Sequence, residues 1–126
     1  MSKHNPFAWI EIPVLDMKRA AAYYEVVLDC TIEIVEFGGI LMGWFPSAGP
    51  EAPGATGSLI QQESYVPSHH GTLVYFSCED VAQPLSKVAA AGGKVLQPKT
   101  MISQEHGFMG VMEDTEGNRV AFHSTH

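Results

Sequence analysis

The chain has 126 residues, enough for one domain with a sizeable core. With 45% hydrophobic and 17% charged residues it has the composition of a folded globular protein. Seven Lys and Arg against fourteen Asp and Glu leave a net charge of −7, which argues against nucleic-acid partners and anionic membrane surfaces. No apolar run reaches the ~18–20 residues of a bilayer span. The first residues, MSKHNPFAW, lack the apolar region and cleavage site of a secretion signal. Cys30 and Cys78 stand far apart in sequence and outside any CxxC, so two free thiols in a reducing cytoplasm are expected.

In chain order, Phe7 to Val14 reads as a strand with partial alternation. Asp16 is placed to cap a helix running through KRAAAYYEVVL, with Ala21, Tyr24 and Leu28 on its apolar face. Thr31 to Phe37 alternates Ile with Glu, as a strand with one solvated face does. Gly38-Gly39 turns the chain into a further strand, ILMGWF. Pro46 to Thr56 is a Pro, Gly and Ala-rich loop, and Gly57 to Gln62 a short strand.

Glu63 to Gly71 reads as a linker, with His69 and His70 solvated in it. Beyond it, Thr72 to Cys78 is a strand, and Glu79-Asp80 opens a helix that Gly92-Gly93 ends. KVLQPKTMI, HGFMGVMED and RVAFHST follow as strands, the last two joined by a Thr115 to Asn118 turn. The order of elements is βαβββ twice. Laid over one another, the halves align Trp9 with Leu73, Glu11 with Tyr75 and Asp16 with Asp80, so internal duplication is the better account. The chain is thus one domain over 1–126, built from modules of about 5–62 and 71–126 with a linker at 63–70.

The segments IPVLDMKRAAAYYEVVL, SCEDVAQPLSKVAAAGGKVLQPKT and EHGFMGVMEDTEGNRVAFHS together resemble the vicinal oxygen chelate superfamily. That superfamily includes glyoxalase I, bleomycin-resistance proteins and extradiol dioxygenases. The resemblance covers nearly the whole chain and is specific for the fold rather than for one reaction. It implies an α+β fold in which two tandem βαβββ modules form a curved mixed sheet around a cavity. It also implies a homodimer.

In metal-dependent members of the superfamily, four side chains from the first and last strands of the modules hold one divalent ion. Those positions fall here on Trp9, Gln61, Leu73 and Ala121, three of which have no donor atom. No metal site and no cofactor are therefore expected. An ion held by Glu11 and His123 alone would need water or substrate to complete its shell.

Strand parity gives the remaining candidates. If the former metal positions point into the cavity, so do Glu11, Tyr75, Arg119 and His123. Glu11 and His123 are candidate acid–base residues, with Tyr75 or Arg119 stabilising an oxyanion. Trp9, Trp44 and Phe108 are candidates for an apolar wall, completed by Gln61, Leu73 and Ala121. Core packing and mutual neutralisation of Glu11 with His123 or Arg119 stand as alternatives.

Two functions of different class follow for a small-molecule partner in the cavity. One is a metal-free, glyoxalase-like lyase or isomerase; the other is a non-catalytic binding protein of the bleomycin-resistance type.

Overall fold

The computed structural model describes residues 5–126. Trp9–Pro13 (β1), Met17–Leu28 (α1), Glu33–Phe37 (β2), Ile40–Trp44 (β3) and Thr56–Gln61 (β4) form the first module. Val74–Ser77 (β5), Ala82–Ala91 (α2), Lys94–Ser103 (β6), Gly107–Glu113 (β7) and Arg119–Ser124 (β8) form the second.

Each module makes its own four-stranded sheet, in the order β1-β4-β3-β2 and β5-β8-β7-β6. In both, the first strand runs parallel to the last and the other neighbours run antiparallel. The two modules therefore share one topology, as the duplicated pattern of elements requires. The sheets do not close into one, and β1 and β5 are both edge strands. No helix among the described residues is long and apolar enough to cross a membrane.

Local chemistry explains where the helices start and stop. Asp16 caps α1 by accepting from the Arg19 N–H at 3.1 Å, and Ala20, Tyr24 and Val27 then bury one face. The helix ends where Asp29 turns left-handed at φ 52° and returns its N–H to the Glu25 carbonyl. In α2 the Ala82 N–H is held by Asp80 and the Val81 N–H by the Ser124 hydroxyl, at 2.9 and 3.1 Å. Gly92, at φ 109°, closes it.

One core joins the modules. Ile12 and Leu59 from the first sheet, Met112, Val120 and Phe122 from the second, and both helices form a single buried cluster. Since alternate strand residues point to opposite faces, this inward set leaves an outer face on each sheet. On the first sheet that face carries Trp9, Glu11 and Trp44; on the second it carries Tyr75, Arg119, Ala121 and His123.

The modules are also tied by polar contacts around the turn Asp114 to Asn118, which sequence reasoning treats as a simple hairpin. Asp114, Glu116 and Asn118 are buried there. Glu116 accepts from the Leu15 and Asp16 N–H groups at 2.8 and 2.9 Å, and from Arg19 Nε at 2.8 Å. Asn118 Nδ2 donates to the Pro13 carbonyl at 2.7 Å. The turn of one module thus grips the strand–helix junction of the other, satisfying N–H groups that the start of α1 leaves unpaired.

Candidate functional site

β1 and β5 flank a hollow of ≈ 420 Å³ at the seam between the modules, within the size range of small-molecule sites. Trp9 and Glu11 line it from β1, Asn118 and Arg119 from the start of β8, and His70 from the linker. Trp9 is 44% exposed and packs edge-on against Trp44, ring centroids 6.2 Å apart. Trp44 in turn stacks on Phe37 at 6.0 Å, so the first sheet carries an aromatic row on its outer face. Such a row presents flat apolar area at little cost in side-chain entropy.

The polar groups of the hollow differ in how far they are already engaged. Asn118 is committed: its Oδ1 accepts from Ser68 N–H, and its Nδ2 donates to Pro13 and Asp114. Arg119 Nε is buried with no partner among the described residues. Glu113 lies across from Arg119 in the β7–β8 ladder but accepts instead from His69 Nε2 at 2.7 Å. His69 is therefore half-buried and paired rather than a solvated linker residue. Glu11 is exposed and forms no ion pair among the described residues.

The other expected site residues go elsewhere. His123 lies on the second sheet and donates Nε2–H to the His106 carbonyl at 2.6 Å, so the structure does not pair it with Glu11. A carbonyl only accepts, which fixes the proton on that ring nitrogen. Tyr75 lines an adjoining, broader groove of ≈ 1430 Å³ together with Phe45, Cys30 and Cys78, and that groove shares Phe7, Ile10, Ile12 and Val74 with the hollow. Burial raises the pKa of both thiols, with Glu25 and Asp29 adding to it at Cys30 and Asp80 at Cys78. Ala121 is buried beside Tyr75 in the ladder, and Leu73 precedes β5.

Two placements correct the parity argument. Gln61 sits on the inner face with Leu59, and its Oε1 accepts the Met17 N–H at 2.8 Å, helping to cap α1. Phe108 also faces inward against the core, with Lys99 Nζ 4.5 Å above its ring. Neither belongs to the hollow. The hollow residues not anticipated include Asn118 and His70. Asn118 was legible as the end of the acidic DTEGN turn, whereas nothing local marks His70.

The superfamily's divalent ion does not fit these residues. Trp9, Leu73 and Ala121 offer no donor atom, and the one oxygen, on Gln61, is spent on the other face of its sheet. Among the described residues no three His, Cys, Asp or Glu side chains converge.

A two-module fold with paired βαβββ topology defines a glyoxalase-like class of protein, and comparison with known proteins agrees. The family model of the Glyoxalase/Bleomycin resistance protein/Dioxygenase superfamily matches residues 7–122, and the chain belongs to that superfamily. No curated protein matches the chain significantly.

Among solved structures, it is similar to a glyoxalase/bleomycin resistance protein from Albidiferax ferrireducens T118 at 14% identity and a TM-score of 0.70, covering 94% of this chain and 97% of that one. A glyoxalase/bleomycin resistance protein/dioxygenase family enzyme from Burkholderia phytofirmans PsJN is 16% identical, with a TM-score of 0.70 and coverage of 94% and 98%. Glyoxalase I from Zea mays is 17% identical with a TM-score of 0.70, covering 95% of this chain. The chain spans only 46% of that enzyme's length. At these identities the likeness is one of fold.

Proposed function

We propose that this protein binds and sequesters one small, partly hydrophobic molecule in the hollow between its modules, without chemistry of its own. The observation that carries this reading is the exposed aromatic row Trp9–Trp44–Phe37 running beside that hollow. Three large aromatic side chains left open to solvent serve a ligand better than they serve the fold. Ligand-observed fluorine NMR with a set of neutral fluorinated aromatic fragments tests it. Wild type broadens the signals of a subset, and Trp9→Ala abolishes that broadening. Equal broadening by both proteins would remove Trp9 and the hollow from the reading.

A second reading, a metal-free lyase or isomerase, is favoured by one observation: Glu11 and Arg119 line the same hollow. Glu11 would accept a proton next to a ligand carbonyl while Arg119 stabilised the developing oxyanion. His123 has no part in this version, since its Nε2–H is engaged by His106. Exchange of α-protons of a small ketone into deuterated water, lost in Glu11→Gln with fragment binding retained, would establish it.

Both readings fit a cytoplasmic homodimer in which a second copy covers the outer face of the second sheet and leaves the aromatic row of the first open. Tyr75, on the outer face of the second sheet, is 49% exposed, and burying such area drives association. Light scattering is expected to give twice the 13.7 kDa of one chain.

A further inference from the structure

We infer that the ligand of the hollow is a small, flat monocarboxylate, held by its anionic group on Arg119 and by its body against Trp9. This assignment of ligand class rests on the small-molecule reading above. It starts from a cation without a counter-ion in an acidic chain. Arg119 lines the hollow, and its buried Nε–H has no acceptor among the described residues. A buried donor left unmet costs about 1–3 kcal/mol, more when it is charged.

The carboxylates of β7 and the β7–β8 turn, next to Arg119 in chain or ladder, are engaged elsewhere, and Glu11 in the same hollow forms no ion pair with it. Glu113 holds His69 at 2.7 Å, Glu116 holds Arg19 at 2.8 Å, and Asp114 holds the Tyr24 hydroxyl at 2.6 Å. Asn118, the neutral neighbour, has its side chain saturated by Ser68, Pro13 and Asp114. Arg119 therefore lines the hollow as a guanidinium with no ion pair among the described residues, and its planar fork matches a carboxylate.

Glu11 sets the charge of the ligand. It lines the same hollow from β1 and forms no ion pair among the described residues. A carboxylate there repels a second negative charge on the ligand, so one anionic group is accepted and two are not. It also offers an acceptor to a hydroxyl or amino group on the ligand. Trp9, with Phe7 beside it, supplies the apolar wall for the rest of the molecule.

Three probes separate the possibilities by fluorine NMR titration of the full chain: 4-fluorobenzoate, its neutral amide 4-fluorobenzamide, and the dianion 4-fluorophenyl phosphate. The benzoate is expected to bind about 10-fold tighter than either of the others, to weaken as salt is raised, and to lose its advantage in Arg119→Gln. Equal binding of benzoate and benzamide to wild type overturns the carboxylate assignment, and that comparison needs no variant to fold. An unchanged benzoate preference in a folded Arg119→Gln overturns the role of Arg119. Phosphate binding as tight as benzoate overturns the role of Glu11. In each of these cases, residual binding that Trp9→Ala abolishes leaves the small-molecule reading standing. Failure of all three probes to bind wild type overturns both.

Discussion

The phenol of Tyr24, in the helix of the first module, donates a 2.6 Å hydrogen bond to Asp114 Oδ2 in the last turn of the second. Both residues are buried, and Asp114 is otherwise served by Asn118 and by the Glu116 and Asn118 N–H groups. Burial raises the pKa of the Tyr24 hydroxyl well above the usual phenol range, and the Asp114 charge and hydrogen bond raise it further. The contact therefore keeps its proton on tyrosine at any ordinary pH. It joins two modules that share no ladder of backbone hydrogen bonds.

Tyr24→Phe removes this bond while keeping the ring against Tyr23, Phe45 and Phe76. It leaves a buried carboxylate oxygen one partner short, which costs about 1–3 kcal/mol. Urea denaturation is expected to show that loss, and an unaltered midpoint would assign the module junction to apolar packing alone.

Acid is expected to loosen the same junction. Burial pushes the Glu116 pKa up, but hydrogen bonds from Arg19, from Thr115 and from the Asp16 and Leu15 N–H groups outweigh it, and the carboxyl is lowered to about 2. A group with a depressed folded-state pKa stabilises fully above its unfolded value, and that stability disappears as pH falls through the folded one. From the ordinary 4.5 down to about 2 the loss amounts to roughly 3 kcal/mol. Unfolding free energy measured between pH 6 and 2 should fall accordingly, and Glu116→Gln should flatten that part of the curve.

Gly57 sits in β4 across from Ile10, and a Cβ there would run into the Ile10 carbonyl. Gly57→Ala must push β1 away, taking Trp9 and Glu11 with it. A loss of about 1–3 kcal/mol is expected from the overpacking, together with loss of fragment binding in whatever protein remains folded. A stable Gly57→Ala that bound fragments normally would contradict this placement of β1.

The two tryptophans should differ in what they do for stability. Trp9 makes one aromatic contact, with Trp44, whereas Trp44 contacts both Trp9 and Phe37. Each such pair is worth about 0.5–1.5 kcal/mol beyond burial. Trp44→Ala is therefore expected to lower the melting temperature more than Trp9→Ala, while Trp9→Ala has the larger effect on fragment binding.

Much of this protein is determined locally and was readable from residue order. Asp16 ahead of an apolar-periodic run, Gly38-Gly39 between strands, and Gly92 after the second helix act within a few residues, so the helices and strands lie where those signals put them. The duplication of elements likewise led to two sheets of identical strand order. That Trp9, Leu73 and Ala121 carry no metal-donor atom is a matter of residue type alone and needs no structure.

Only the tertiary structure decided which way the ambiguous side chains face and what each one meets. Gln61 and Phe108 turned inward because a helix N–H and the core were there to receive them. Glu11 and His123, alike on paper, sit on different sheets, and His123 is engaged by the carbonyl of His106. The acidic turn at Asp114 became the junction between modules because N–H groups of the first helix end beside it. Contacts such as Tyr24 with Asp114 link positions 90 residues apart. No pattern along the chain encodes such a contact. It exists only once two amphipathic modules have buried their apolar faces against each other, and the same packing sets Arg119 beside the hollow with no ion-pair partner among the described residues.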